Sequence, residues 1–404
     1  MKLNRFSRCF LFLLGATQPL LAAENLKLAQ ELPGVWAGRG AWADYDQDGY
    51  LDLALTGKAI ENDAAIRIAR IYRSTGAAGG GLLDPEPAQE LTGVYFGDLA
   101  WADYDGDGDL DLAIAGWAED GTETLKLYRN EPTGTLALDQ EETQILGLGG
   151  LTGVRYASLA WQDYDNDADL DLIVAGMNSN GVALTQLYVN NGGRFEPDEF
   201  NSETVLNVQN GAIAWGDWDN DGDADLLVTG DNVNAVGESS TVAEFYENDP
   251  VGTLSPDAGL SISAVKGGSL AWADYDDDGN LDLAVSGWTR SWEVSFAVYQ
   301  NRPTGIITPV DMNALFVASS SDFVAGDLAW VDYDNDGDLD LATSGIPNRL
   351  AAGLSNRAEY LSVVHANEGG VFNTAENLDL PIAGGSAVWG DYDLDGRIDL
   401  FTSG

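Results

Sequence analysis

Four aspartates recur at fixed spacing within a nine-residue stretch that the chain repeats seven times. The clearest copy runs from Asp103 to Asp111, with aspartate at positions 1, 3, 5 and 9 and Gly108 at position 6. Four carboxylates gathered by so short a loop repel one another unless a cation lies between them. Oxygen ligands on a flexible loop suit Ca²⁺, and the position-7 carbonyl and water would complete the shell. The pattern therefore predicts a calcium site in each copy.

We number these acidic stretches loop 1 to loop 7 in chain order. Successive loops begin 54 to 60 residues apart, a period typical of a repeat architecture. Up to seven Ca²⁺ ions are expected, one in each loop. The predicted ligands are Asp44, Asp46, Asp48 and Asp52; Asp103, Asp105, Asp107 and Asp111; Asp163, Asp165, Asp167 and Asp171; Asp217, Asp219, Asp221 and Asp225; Asp274, Asp276, Asp278 and Asp282; Asp332, Asp334, Asp336 and Asp340; and Asp391, Asp393, Asp395 and Asp399.

Two other acidic-loop interpretations fit the residues less well. An EF-hand needs glutamate at position 12 and flanking helices, whereas position 12 is Ile114 in loop 2 and Val174 in loop 3. Solvated acidic turns would not place acids at the same four offsets in every copy. Position 6 favours a left-handed backbone and is glycine in six loops, but loop 3 has Ala168. We expect loop 3 to be the weakest site.

Short apolar runs flank the loops, for example Leu110–Ala115 after loop 2. Runs that are apolar at nearly every residue are typical of strands covered on both faces. Four short strands per period, without a convincing amphipathic helix, indicate a propeller blade. We predict an all-β, seven-bladed β-propeller of four-stranded antiparallel blades over residues 24–404. Residues 24–34 are expected to supply the fourth strand of the last blade, which would then lack its third strand.

A tryptophan lies two residues before the first ligand of every loop, as Trp101 does before Asp103. Such a ring could offer stacking platforms for sugars, or it could pack each blade against the next. A large aromatic repeated at one position of every blade favours the packing role.

The charge balance excludes two classes of partner. With 66 acidic and 19 basic residues the formal net charge is −47, so the surface repels nucleic acid and anionic membranes.

Residues 1–23 are typical of a secretory signal peptide, with Lys2 and Arg5 before a short apolar run and Ala22-Ala23 at the end. The run is too short to span a membrane. We expect a secreted or cell-surface monomer, extracellular or periplasmic, in which metal takes the place of disulfides.

The core Trp-x-Asp-Tyr-Asp-x-Asp-Gly-x-x-Asp-Leu resembles the FG-GAP/VCBS-type repeats of integrin α-subunit-like β-propellers. The resemblance covers about residues 24–404, with Trp218 replacing the tyrosine in loop 4. It implies that the aspartates above bind calcium and that the loops join the first and second strands on one face. It also implies that partners bind the opposite face.

By that analogy, the opposite face carries aromatic and basic side chains. Such residues on an acidic protein suit contact with a glycan or a protein, although packing at loop tips would also explain them. They are Trp36, Arg39, Tyr95, Phe96, Trp117, Arg155, Met177, Trp288, Arg290, Trp292 and Arg349.

The residues are compatible with three functions. The first is an adhesion or recognition module for an extracellular glycan or protein. The second is a polysaccharide-active, lyase-like enzyme, against which no nucleophile–base constellation is visible and His365, the only histidine, lies in a strand-like run. The third is a structural module of a larger cell-surface protein. We assign no catalytic residue and no organic cofactor.

Overall fold

The computed structural model describes residues 8–14, 26–76, 82–132, 134–140, 151–234, 236–302, 306–310, 324–347, 361–373, 378–379 and 386–403. Among these residues the fold is all-β apart from one short helix, α1 (Glu199–Thr204), whose N-cap is Asp198. None of the described helical residues forms a segment that is long and apolar enough to cross a membrane.

The strands form antiparallel sheets in which each acidic loop connects the first strand to the second. In chain order the strands are β1 (Arg8–Leu14), β2 (Leu26–Pro33), β3 (Val35–Trp36), β4 (Gly40–Ala43), β5 (Asp52–Glu61), β6 (Ala64–Tyr72), β7 (Gln89–Glu90), β8 (Val94–Ala102), β9 (Asp111–Ala118), β10 (Glu123–Glu131), β11 (Thr135–Leu138), β12 (Arg155–Gln162), β13 (Asp171–Met177), β14 (Ala183–Asn190), β15 (Phe195–Pro197), β16 (Gln209–Gly216), β17 (Asp225–Val233), β18 (Ser239–Glu247), β19 (Ser255–Pro256), β20 (Lys266–Ala273), β21 (Asp282–Trp288), β22 (Val294–Arg302), β23 (Ile306–Pro309), β24 (Val324–Val331), β25 (Asp340–Pro347), β26 (Leu361–His365), β27 (Asn367–Glu368), β28 (Val371–Phe372), β29 (Leu378–Asp379), β30 (Ala387–Gly390) and β31 (Asp399–Thr402).

Six of the sheets are four-stranded antiparallel blades. Their strand orders are β8-β9-β10-β11, β12-β13-β14-β15, β16-β17-β18-β19, β20-β21-β22-β23, β24-β25-β26-β29 and β30-β31-β1-β2. The sheet of loop 1 differs, because β3 and β4 both pair with β5, which continues to β6 and β7. The prediction of seven four-stranded blades is therefore wrong in its count, since the described residues form six. A separate two-stranded ribbon joins β27 to β28.

A bulge near the start of the first strand explains the five-stranded sheet. Ala37 has a left-handed backbone with φ of 49°, and a Cβ atom on Gly38 would lie 1.9 Å from the carbonyl oxygen of Thr56. The chain passes so close to β5 at this point that the strand is interrupted between β3 and β4. In β12 the same bulge, at Tyr156, only shifts the register.

The sheet of loop 7 combines the two ends of the described chain. β1 pairs with β31, with Leu11 opposite Phe401, and β2 forms the outer edge beside β1. The N-terminal segment thus provides the fourth strand, as expected. In the full chain β1 occupies the third-strand position that we expected to be empty over residues 24–404. β1 lies inside the predicted signal peptide 1–23, and residues 1–7 and 15–23 of that segment lie outside the described residues.

The repeated tryptophans lie between neighbouring sheets. Trp42 stacks on Tyr392 of loop 7, with ring centroids 5.8 Å apart and an interplanar angle of 3°. This pair joins the last sheet to the first and closes the ring. The packing role is confirmed by the equivalent stacks Tyr45–Trp101, Tyr104–Trp161, Tyr164–Trp215, Trp218–Trp272 and Tyr275–Trp330, with centroids 5.4 to 6.1 Å apart.

Candidate metal sites and the opposite face

The acidic loops bring carboxylate oxygens close enough together to share one cation. In loop 2, one oxygen from each of Asp103, Asp105 and Asp107 lies within 4.8 Å of the others. Loop 1 gathers positions 1, 3 and 5 in the same way, and loops 3 to 5 gather positions 1, 3 and 9. Three of the four predicted ligands therefore converge in each of these five loops.

Backbone amides hold the first ligand in place. In loop 2, Gly108 N donates to Asp103 Oδ2 at 3.0 Å and Asp107 N donates to Asp103 Oδ1 at 3.1 Å. The position-6 amide makes the same bond in every other loop, at 2.9 to 3.1 Å. The backbone of each loop therefore surrounds the carboxylate at position 1 and fixes its orientation.

The fourth ligand is a buried aspartate at the start of the second strand. Asp111 accepts from Asn130 N at 2.7 Å and from Tyr104 N at 3.2 Å. Burial raises its pKa to about 7, and the charge of Asp105 adds to the shift. Burial raises the pKa to about 7 in the same way at Asp52, Asp171, Asp225, Asp282 and Asp340.

Several ligand oxygens are buried without a hydrogen-bond partner among the described residues. They occupy positions 1, 3 and 9 of the loops, and they are Asp44 Oδ1, Asp52 Oδ2, Asp165 Oδ1, Asp225 Oδ2 and Asp276 Oδ1. A buried carboxylate oxygen without a donor is destabilising. A hard cation would satisfy it, and an all-oxygen donor set fits calcium better than zinc. The residues present therefore fit the predicted ion.

Neighbouring loops contact one another through the side chain at position 4. Gln47 Nε2 of loop 1 donates to Gly108 O of loop 2 at 2.8 Å and to Asp109 Oδ1 at 2.7 Å. Equivalent bonds run from Asn166 to Asp223, from Asn220 to Asn280 and from Asn335 to Gly396. These bonds therefore join loop 1 to loop 2, loops 3 to 5 to one another, and loop 6 to loop 7.

The sequence analysis missed a buried asparagine that ties each of loops 1 to 5 to the next sheet. Asn190 Nδ2 donates to Tyr104 O of loop 2 at 2.6 Å and to Leu170 O of loop 3 at 3.0 Å, while its backbone N donates to Asp171 Oδ1 at 2.8 Å. The equivalent residues are Asn130, Asn248, Asn301 and Asn367. The signal was available, because an asparagine follows the last ligand by 19 to 27 residues in these five repeats.

Replacing this asparagine should destabilise the fold. We expect Asn190→Ala to lower the free energy of unfolding by roughly 3 kcal/mol, because two buried carbonyl groups lose their donor. Chemical denaturation at saturating calcium measures the change. The adjacent, exposed Asn191→Ala is the matched control and should leave stability unchanged. Equal stabilities of the two variants would contradict the bridging role.

Loop 3 has the expected strained position. Ala168 adopts φ of 77°, and its amide still donates to Asp163 Oδ2 at 3.0 Å. Ala168→Gly should raise the free energy of unfolding by about 1 kcal/mol, because glycine adopts this backbone without strain. The converse Gly108→Ala in loop 2 is a matched control, since a Cβ there would meet no atom within 4 Å. Gly108→Ala should lower the free energy of unfolding by about as much as Ala168→Gly raises it. An Ala168→Gly variant no more stable than the wild type would contradict the strain argument.

An aromatic cluster lies on the face opposite the loops, where the first strands begin. We call Trp36, Tyr95, Phe96, Trp117 and Tyr156 the aromatic platform. The Trp36 ring lies 5.5 Å from Phe96, Tyr95 stacks on Trp117 at 5.4 Å, and Phe96 lies 4.7 Å from Tyr156. Trp36 is 52% exposed. The structure thus brings together four of the predicted opposite-face aromatics and adds Tyr156.

Basic side chains accompany the platform. The Arg67 guanidinium lies 4.6 Å from the Tyr95 centroid, and Lys58 Nζ lies 5.6 Å from it. Arg155 lies 5.0 Å from the Trp117 centroid and pairs with Glu123 at 2.6 Å.

Beside the platform, the first strands surround a central cavity of about 230 Å³. Arg39 lies in its lining and pairs with Asp327 at 2.8 Å and with Asp98 at 3.9 Å, so one cation links three sheets. Burial raises the pKa of Asp98, and Arg39 opposes that shift.

The remaining predicted residues of this face lie apart from the platform. Trp288 and Trp292 form a pair of their own at 6.4 Å, with Lys266 Nζ 4.2 Å from the Trp292 centroid. Arg290 lines a different cavity with Asn232 and Ser240. Met177 contacts Arg155, and Arg349 lies outside the described residues.

His365 is buried beside Thr343, and burial lowers its pKa to about 3, which fits packing and not proton transfer.

Comparison with known proteins places these features in a family. The FG-GAP-like repeat family matches residues 44–114, 103–174 and 163–228, and the sheets around these repeats form a propeller. The chain is an FG-GAP-repeat β-propeller. FG-GAP repeats usually occur in extracellular proteins and often bind calcium.

Comparison with solved structures finds two family-43 glycoside hydrolases, each 11% identical. A thermostable family-43 enzyme has a TM-score of 0.33, covering 69% of this chain and 93% of its own. An engineered family-43 enzyme with endo-xylanase and exo-arabinofuranosidase activity has a TM-score of 0.25, covering 92% and 82%. Likenesses this weak carry no inference about this FG-GAP propeller. No curated protein sequence matches it.

Proposed function

We propose that this FG-GAP propeller is a secreted, calcium-stabilised recognition module that binds a glycan on the face opposite its acidic loops. The exposed ring of Trp36 at the edge of the aromatic platform carries the proposal, because a large aromatic ring open to solvent offers a stacking surface to the apolar face of a sugar. Adhesion to a glycan-bearing surface is the function that such a module would serve.

In this proposal calcium braces the scaffold. Each ion would be held by the aspartates at positions 1, 3, 5 and 9 of its loop. The ion would neutralise the clustered carboxylates and so fix the first strand to the second. The central cavity and the platform lie at the other ends of those first strands.

Trp36→Ala tests the glycan proposal. We expect its affinity for glycans identified on an array to fall about tenfold or more, because an exposed stacking surface is removed. Trp292→Ala is the matched control, since this tryptophan is 66% exposed but lies outside the platform. Binding that is unchanged by Trp36→Ala, or lost equally in both variants, would contradict the platform as the site.

An enzyme is the second candidate, favoured by the carboxylate of Asp327 in the lining of the central cavity and by Asp98, which pairs with the same arginine. Both are held by Arg39, an arrangement that also suits a purely structural role. Incubation with polysaccharides, followed by the absorbance of unsaturated products, separates a lyase from a binding module. Product formation that persists in Asp327→Asn would exclude this cavity as the catalytic site.

A further inference from the structure

We infer that the glycan bound at the aromatic platform is anionic and that its carboxylate or sulfate group contacts Lys58. This inference rests on the proposed function, and it names the class of glycan that the same surface would take. The inference follows from which cations near the platform have a carboxylate partner and which have none, in a chain of formal net charge −47.

Lys58 is placed at the platform by the sheet itself. It lies directly opposite Trp36 in the pairing of β3 with β5, and its Nζ lies 6.0 Å from the Trp36 centroid and 5.6 Å from the Tyr95 centroid. Within the described parts of the chain, no carboxylate lies within 4.0 Å of Lys58 Nζ. Its ammonium group therefore interacts with the aromatic rings and is available to a ligand bound on them.

Five other buried or half-buried cations are neutralised at close range. Each of these five has a carboxylate oxygen 2.5 to 3.0 Å away, and they are Arg39, Arg70, Arg129, Arg155 and Lys266. The half-buried Lys126 has no such carboxylate among the described residues, and it donates instead to Thr92 Oγ1 at 2.8 Å. Lys58 has neither kind of partner within the described chain, so its ammonium group is open to a ligand.

Arg67 adds positive charge underneath the same rings. Its guanidinium lies 4.6 Å from the Tyr95 centroid and 4.9 Å from the Trp117 centroid, while its nearest carboxylate, on Glu119, is 3.9 Å away. Its Nη1 atom is buried and has no hydrogen-bond partner among the described residues. Arg67 is thus only weakly neutralised, and it raises the potential at the platform without having to touch a ligand.

An acidic sugar satisfies both parts of this surface. Its apolar ring face stacks on Trp36 while its anionic group pairs with Lys58, and a charge-assisted bond of this kind is stronger than a neutral one. The rest of the surface is acidic and repels the same ligand, so binding is directed to the platform. A neutral glycan would stack equally well but would leave Lys58 unpaired.

Oligogalacturonate and its methyl ester provide a matched pair of probes, because they share one backbone and differ only at the carboxyl group, which is charged in the acid and neutral and methylated in the ester. We expect the acid to bind about tenfold more tightly than the ester at low salt, with the difference shrinking as salt is added. Lys58→Gln should remove this difference. Arg290→Gln, which removes the same charge at an exposed site elsewhere, should keep it. A sulfated oligosaccharide, tested in parallel, distinguishes sulfate from carboxylate as the preferred anion.

The outcomes separate this inference from the proposal beneath it. If Trp36→Ala abolishes binding but acid and ester bind the wild type equally, the glycan site stands and the anionic specificity fails. If the acid binds Lys58→Gln as tightly as the wild type at the same free calcium, the anion contacts the ion of an acidic loop or another cation, and the inference also fails. If no probe or array glycan shows binding that depends on Trp36, the glycan proposal itself fails.

Discussion

Removing calcium is expected to lower the melting temperature of the propeller by on the order of 20 °C. An ion that binds the folded loop and not the unfolded chain would add its binding free energy to the stability of the fold. Without it, four carboxylates repel one another at each loop, and buried oxygens such as Asp52 Oδ2 and Asp225 Oδ2 have no partner among the described residues.

Differential scanning calorimetry of the protein in calcium and in excess chelator measures this effect. A chelator selective for calcium over magnesium, used with magnesium present, shows whether the smaller ion can replace calcium. Raising the potassium chloride concentration is the control for screening, and it should recover little stability because the fourth ligand of each loop is buried. Identical melting curves with and without chelator would contradict the loop assignment.

The calcium-free protein is expected to become less stable as pH rises from about 4 to 8. Buried Asp111 and Asp171 have pKa values of about 7 in the folded chain, whereas an unfolded aspartate has a pKa of about 3.9. Between these values the folded state binds more protons than the unfolded state, so the free energy of unfolding falls as protons are lost. The calcium-loaded protein should show the opposite trend, because protons compete with the ion for the same oxygens.

Denaturant unfolding of metal-stripped protein in chelator-free buffers tests the trend at each pH. Asp111→Asn removes one titrating group and should flatten the decline by about one sixth of its size, given six aspartates with this shift. Stability of the metal-free protein that rises with pH across this window would contradict the burial argument.

The acidic loops and the repeated tryptophans could be predicted because their residue types have few other uses at such spacing. An aspartate at four fixed offsets, with a left-handed position between them, leaves little besides cation binding. Asn190 was missed because an asparagine in a turn has an ordinary local explanation. Its bonds to Tyr104 and Leu170 join residues far apart in the chain and are visible only in the folded protein.

The five-stranded sheet and the grouping of the platform aromatics could not be predicted, because both arise from contacts between residues that are distant in the sequence. The break at Ala37 arises because Gly38 lies against the carbonyl of Thr56 on the neighbouring strand. The aromatics of the opposite face were named from the sequence, but their division into the platform and the separate Trp288–Trp292 pair follows from which sheets carry them.

The position-4 contacts between loops are not evenly distributed around the circle. Loops 2, 5 and 7 have Gly106, Asp277 and Leu394 at that position, and no hydrogen bond to the following loop is found for these residues in the described chain. The circle is therefore divided into three arcs, made of loops 1 and 2, loops 3 to 5, and loops 6 and 7. Within an arc, damage to one loop passes to its companions through exposed side chains. Across the arc boundaries the coupling depends instead on buried contacts, such as the bonds of Asn190 to Tyr104 and Leu170 and the stack of Trp42 on Tyr392.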